Sequence, residues 1–290
     1  MNKRRIVLLI SIFFILTIAF LSMLFLGVFR NYDVYKNIKY GENERNTLDL
    51  YIPKDYQKEG LLLYIHGGAW IAGDKSTYKK ELKTYAKKGI ACASINYRYV
   101  SGTVSCYDIL EDIETAVKVI YEKASSLGIR LNRMMLTGHS AGAHLSLLYA
   151  YKYQNTSCIT PVAVASFAGP TDLTEDAYYE NWPSVYELFS YMIAKSFDEN
   201  TKADVKEDLL QVSPISYVNE NSVPTIIAQG EKDNVVDKEN AIRLENVLKS
   251  NNVEYYAYYY PSSGHGLEND KKINQQAYAK FDEFVLKYLC

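Results

Sequence analysis

Apolar residues in this chain fall into two alternating rhythms, short continuous runs and longer stretches with helical spacing. Leu61–Ile65, Ile90–Asn96, Val162–Phe167 and Pro224–Gln229 read as strands covered on both faces, because a strand buried between helical layers has no polar side to alternate. Val34–Tyr40, Thr47–Ile52, the run Met134-Met135-Leu136 and the tyrosine-rich Glu254–Tyr260 complete the strand set. Between them, Ser76 is expected to cap a helix running through Lys88 that Gly89 ends. In Asp108–Ser126, Ile109, Ile113, Ala116, Val117, Ile120 and Ala124 recur three and four residues apart, which gives one apolar face to lay on a sheet. Ala143–Leu148, Lys238–Lys249 and Lys271–Leu289 supply further helices. This alternation predicts an α/β fold, a mostly parallel central sheet flanked by helices, in one domain over residues 31–290.

Two segments depart from that rhythm. Residues 171–223, less apolar and carrying Tyr178, Tyr179, Trp182, Phe189 and Tyr191, are expected to form a small helical cap whose aromatics either line a pocket or pack the excursion itself. At the other extreme, Lys3-Arg4-Arg5 precedes an uncharged, mostly apolar run from Ile6 to Phe29, which as a helix would extend roughly 36 Å, enough to cross a bilayer. Residues 1–30 are therefore expected to be a cytoplasmic basic start and a transmembrane helix, with the main domain on the outer side. Ala19, Ser22 and Gly27 do not form the small-x-small pair of a cleaved signal peptide; cleavage there would instead make the protein secreted.

Candidate chemistry sits at the ends of the strand runs. Gly138-His139-Ser140-Ala141-Gly142 lies between an apolar run and a helix, the strand-turn-helix setting in which a sharp turn exposes a serine hydroxyl, so Ser140 is the candidate nucleophile. Upstream, Leu61–Ile65 runs directly into His66-Gly67-Gly68-Ala69-Trp70, a side-chain-poor loop whose backbone N–H groups can meet a developing oxyanion. By position the donors are the amides of Gly68, Ala69 and Ala141; the plainer alternative for the loop is a tight turn after a strand.

A serine hydroxyl needs a base. Of the four histidines, His66, His139 and His144 are placed to pack or brace local backbone, which leaves His265, in the loop Ser262–Gly266 after a strand. The acid that orients it is expected between serine and histidine in chain order. Asp233 fits, reached through Gly230-Glu231-Lys232 after a buried strand; Glu231 and Asp237 are alternatives, and Asp237 could instead cap the next helix.

With these pieces in order, residues 46–289 resemble the α/β-hydrolase superfamily, in its HGG-containing esterase and lipase branch, which includes hormone-sensitive-lipase-like enzymes and small carboxylesterases. HGGAW, GHSAG, Asn96-Tyr97-Arg98, Gly169-Pro170-Thr171-Asp172-Leu173 and the stretch from Pro224 to Asp233 carry the resemblance, and the first two also look like isoprenylcysteine methylesterases and feruloyl or acetyl esterases. Ala69 stands where the lipase-like branch often has a third glycine. The resemblance implies a serine carboxylic ester hydrolase acting on a small or polysaccharide-linked ester through an acyl-enzyme. Two alternatives stay open, an amide-cleaving relative (a formamidase or peptidase) and a catalytically silent, membrane-tethered scaffold.

Composition narrows the field further. A net charge of −2 with basic and acidic residues intermixed lacks the basic footprint of a nucleic-acid binder. No nucleotide-binding glycine pattern and no C-x-x-C pair is present, so neither a cofactor nor a structural metal is expected. Cys92 reads as a buried strand residue; two of Cys106, Cys158 and Cys290 could pair in an oxidising compartment.

Overall fold

A computed structural model of the chain describes residues 5, 10–18, 31–182 and 184–290. Most of the expected membrane span, 6–29, lies outside the described residues. Within it, residues 10–18 are helical and exposed, and among the described residues no helix is long and apolar enough to cross a membrane.

The main domain is built on a sheet of eight strands among the described residues: Tyr32–Lys39 (β1), Thr47–Pro53 (β2), Gly60–Ile65 (β3), Ala91–Ile95 (β4), Arg133–His139 (β5), Thr160–Phe167 (β6), Thr225–Gly230 (β7) and Tyr255–Tyr260 (β8). Their spatial order is β1-β2-β4-β3-β5-β6-β7-β8. The β1–β2 and β2–β4 pairs are antiparallel and the rest parallel, as the continuous apolar runs imply: every residue of β3, β4 and β7 is buried.

Helices cover both faces. Lys79–Lys87 (α1) and Lys271–Leu289 (α8) enclose one core containing Leu62, Tyr64, Met135, Phe167 and Phe281. Cys106–Ser126 (α2), Ala141–Tyr153 (α3) and Glu239–Ser250 (α7) enclose the other, with Leu61, Leu63, Ile113, Leu136 and Leu147. The segment between β6 and β7 adds Asp176–Asn181 (α4), Val185–Ile193 (α5) and Lys206–Gln211 (α6).

Several local expectations change. Ser76 is not a helix cap: it lies inside a 3-10 turn, Lys75–Tyr78, whose cap is Asp74, and the Asp74 carboxylate accepts the Ser76 amide at 2.8 Å. Helix α2 starts two residues early because Ser105 and Asp108 form a reciprocal capping box. The considered disulfide is absent, since all four cysteines are free; Cys106 is buried in the core, whereas Cys158 and Cys290 are exposed. Asp237 lies one residue before the cap position of the next helix, which is Lys238, and its carboxylate accepts the Glu239 amide at 2.8 Å.

Strand order has a functional consequence. Because β3 and β5 are parallel neighbours, with Ile65 opposite Gly138, the glycine-rich loop and the serine turn leave the sheet side by side. Asp233 and His265 follow β7 and β8 at the same carboxyl-terminal rim, where open α/β sheets bind ligands.

Candidate active site

Ser140 joins β5 to α3 with φ 56° and ψ −126°, a left-handed conformation that costs an L-residue on the order of 1–3 kcal/mol. The turn is held on both sides: the Ser140 amide donates to Phe167 O at 2.9 Å, and Ser140 O accepts the His144 amide at 3.0 Å. Only glycine fits beside it. A Cβ on Gly142 would stand 2.0 Å from Ile65 O, and one on Gly138 would stand 2.5 Å from both the Gly142 carbonyl carbon and Ile65 O. The first amides of α3, Ala141 among them, lack intrahelical acceptors and aim the positive end of the helix at the serine.

The glycine-rich loop is also strained, with φ of 49° at Ala69 and 60° at Trp70. Its shape is fixed by anchors at its flanks. Trp70 O accepts the Val100 amide at 3.0 Å, and Gly68 O accepts the amides of Ile71 and Ala72 at 3.1 and 2.9 Å. The amides of Gly68, Ala69 and Ala141 themselves have no acceptor among the described residues.

Histidines brace this frame, and each has a defined tautomer. His144, fully buried, donates from Nε2 to Val212 O at 2.7 Å and accepts the Trp70 indole N–H on Nδ1 at 3.1 Å, so it ties the serine helix to the glycine-rich loop and to the segment before β7. Burial lowers its pKa to about 4. His66 stacks on Tyr97 with ring centroids 4.3 Å apart, donates from Nδ1 to Gly67 O at 2.8 Å and faces the Arg45 guanidinium through Nε2 at 3.3 Å. Its pKa also drops to about 4, burial being the main cause.

Asp233 and His265 meet. His265 Nδ1 donates to Asp233 Oδ2 at 2.8 Å, which leaves Nε2 as the unprotonated nitrogen of the neutral ring. The carboxylate of Asp233 has no solvent exposure and also accepts from the amides of Val235 (2.8 Å) and Val236 (3.0 Å) and from Gln229 Nε2 (3.1 Å). Burial alone would raise its pKa, but the hydrogen bonds from His265 and these amides outweigh it and hold the carboxyl below its usual range.

β8 lies three strands from β5, about 14 Å across the sheet, so the loop after β8 must fold back. It does so against the loop carrying Asp233, where the Lys232 amide donates to Ser263 O at 3.1 Å. His139, the residue before Ser140, then fixes the far end: its Nε2 donates to His265 O at 2.7 Å and its ring meets that of His265 edge-on, centroids 4.8 Å apart. His265 is thereby seated against the serine turn, although no hydrogen bond joins it to Ser140 Oγ among the described residues. Such bonds commonly tighten only when substrate fills the site.

The bracing roles of His139 and His144 were expected, but their remote partners, His265 O, Trp70 and Val212, and the part played by Gln229 gave no signal in the sequence, since each contact is one only the fold creates. The aromatics between β6 and β7 largely pack one another, as in the edge-on pairs Tyr178–Phe189 and Tyr179–Phe189. Phe189 also reaches Trp70, centroids 6.3 Å apart. An open groove of about 610 Å³ between residues 101–108 and α5 touches none of Ser140, Asp233 or His265.

A family profile described as BD-FAE matches residues 48–248. The chain belongs to the BD-FAE family. Among curated proteins, a probable isoprenylcysteine alpha-carbonyl methylesterase of Oryza sativa is 36% identical over 115 residues, 39% of this chain and 27% of that protein. LipM of Mycobacterium tuberculosis, described as a probable carboxylic ester hydrolase, is 28% identical over 232 residues, 74% of this chain and 52% of its own length. The chain thus spans roughly a quarter to a half of these relatives. Among solved structures, a truncated carbohydrate esterase from gut microbiota superposes with a TM-score of 0.71 at 21% identity, covering 89% of this chain and 96% of that one. Esterase B from Lactobacillus rhamnosis gives 0.68 at 19% identity, with 89% and 87% covered. The α/β-hydrolase resemblance is borne out at the level of fold.

Proposed function

We propose that this BD-FAE family member is a serine-dependent carboxylic ester hydrolase in which Ser140 is the nucleophile, His265 the general base and Asp233 the group that orients the imidazole and stabilises its charged form. One observation carries it: the Asp233–His265 bond leaves an imidazole nitrogen with a free lone pair, on a ring seated against the turn that presents a strained serine. His265 takes the Ser140 proton as Oγ attacks the ester carbonyl. The resulting oxyanion is met by the amides of Gly68, Ala69 and Ala141, each such donor contributing roughly 3 kcal/mol to the barrier in comparable sites. His265 then returns the proton to the departing alcohol, and water, activated by the same nitrogen, releases the acid.

Hydrolysis of short-chain nitrophenyl esters tests this. Wild type turns them over, Ser140→Ala does not, and equal turnover by that variant would overturn the proposal. Cleavage of N-formyl or peptide amides at rates matching the esters would instead favour the amide-cleaving alternative. A chain that hydrolyses neither would be a silent scaffold. We also propose that residues 6–29 tether the domain to a membrane with residues 31–290 outside; the full chain should then resist alkaline carbonate extraction from membranes, and its release would exclude the tether.

A further inference from the structure

Helix α1 carries a charge pattern that its own folding works against. Lys79, Lys80, Lys83 and Lys87 are all exposed, and with about 100° of turn per residue they fall within an arc of about 100° on one side of the helix. Lys79, Lys83 and Lys87 follow one another at i,i+4, the spacing at which like charges repel. Lys79 and Lys80 open the helix, where its dipole favours acids, and of the four only Lys87 sits at the end that favours a cation. None of the four is in an ion pair among the described residues, whereas the next residue, Lys88, is taken by Asp282 at 2.8 Å. Glu81, the one acid of the helix, lines a different hollow, with Tyr278 of α8.

With Ser76, Thr77 and Thr84 the four lysines line a shallow, open depression of about 430 Å³. On a chain whose net charge is −2, this is a local concentration of positive charge, and it suits an extended anionic surface. Its place in the fold narrows the choice of surface. Helix α1 runs from the rim that carries Ser140 toward the opposite end of the sheet, where Lys87 and Lys88 lead through Gly89 to the start of β4. Residue 31 enters the domain at that same end: Asn31 O accepts the Lys54 amide at 2.8 Å, Tyr32 pairs with Pro53, and Tyr51 pairs with Cys92 of β4. Two strand spacings, about 10 Å, separate β1 from β4. The foot of the lysine stripe and the point where the apolar run 6–29 joins the domain are therefore neighbours.

We propose that the Lys79–Lys87 stripe docks the domain on the anionic lipid headgroups of the membrane that holds residues 6–29, so that the domain lies along the bilayer on its α1 side. The choice of a lipid surface rests on the tether proposed above, because the tether is what keeps a bilayer beside this helix. Phosphate groups of the lipids then supply the counter-charges that the helix itself lacks, and the repulsion along Lys79, Lys83 and Lys87 is relieved on docking.

The test reconstitutes the full chain with vesicles of phosphatidylcholine alone or mixed with phosphatidylglycerol. Lysine acylation by a reagent that does not cross the bilayer is read residue by residue in a mass spectrometer. Each lysine brought to an anionic surface strengthens attachment by roughly fivefold, so labelling of Lys79, Lys80, Lys83 and Lys87 should be at least about tenfold slower on the anionic vesicles. Lys118 and Lys249, exposed on α2 and α7 of the opposite face, should label equally on both. The difference should vanish near 1 M salt, where screening shortens to about 3 Å. In the triple variant Lys79→Gln, Lys83→Gln, Lys87→Gln, Lys80 should lose its protection, while Tm, relieved of the i,i+4 repulsion, stays no lower than in wild type. Equal labelling of the stripe on both vesicles would overturn the docking face, and protection by soluble polyphosphate without protection by anionic vesicles would overturn the lipid. Flotation separates this proposal from the tether: a chain that floats with both vesicles but is unprotected keeps the tether and loses the stripe. A chain that floats only with anionic vesicles, and not as the triple variant, keeps the stripe and loses the tether; one that floats with neither refutes both.

Discussion

Replacing His144 by glutamine isolates the brace between the serine helix, the glycine-rich loop and the segment before β7. Glutamine can still accept the Trp70 indole N–H through its carbonyl oxygen and donate to Val212 O through its amide, but it does not titrate. The wild-type imidazole does, and burial holds its pKa near 4 in the folded chain, against about 6.5 when unfolded. Between those values the unfolded chain binds the proton and the folded chain does not. Stability is therefore complete above pH ~6.5, falls as the medium is acidified, and stops falling below pH ~4, a total of about 3 kcal/mol. Between about pH 7.5 and about pH 5 the loss from this one group is roughly 2 kcal/mol. Urea unfolding at both pH values reads it directly. The gap between the two unfolding free energies should be about 2 kcal/mol smaller in His144→Gln than in wild type, with contributions common to both proteins, such as that of His66, cancelling. Equal gaps in the two proteins would refute the assignment of His144 as a buried, neutral brace.

Other outcomes follow from the same geometry. Asp233→Asn keeps the shape but no longer enforces the proton on His265 Nδ1, so kcat for nitrophenyl acetate should fall by on the order of 10⁴ with KM little changed. Gly142→Ala places a methyl group 2.0 Å from Ile65 O, and urea unfolding should show a loss of about 3 kcal/mol or more. A thiol reductant should leave Tm unchanged because all four cysteines are free, whereas breaking a disulfide would cost about 2–5 kcal/mol and several degrees.

What could be read from the sequence was what depends on neighbours along the chain. The strand runs of β3, β4 and β7 announce burial on both faces, and Gly138-His139-Ser140-Ala141-Gly142 announces its turn because the glycines answer a steric demand local to β5 and α3. The meeting of Asp233 with His265 was also legible, since each follows a recognisable strand at one rim of the sheet. What stayed hidden depends on residues remote in sequence. His139 grips the His265 carbonyl 126 positions away, Trp70 and His144 are 74 apart, and His144 and Val212 are 68 apart. Nothing in the composition of those segments selects these partners. Ser76 misled because serine is a common cap, and Asp74, two residues earlier, competes with it through a turn the hydrophobic pattern does not encode.

The proposed mechanism requires His265 to activate Ser140 across a turn that only the folded chain assembles. Labelling with a fluorophosphonate, read by mass spectrometry of the digested protein, tests it most directly. A single phosphonyl adduct is expected on the peptide containing Ser140, formed quickly by wild type and lost in both Ser140→Ala and His265→Ala. An adduct elsewhere, or labelling of Ser140 that proceeds equally fast without the imidazole at position 265, would contradict it.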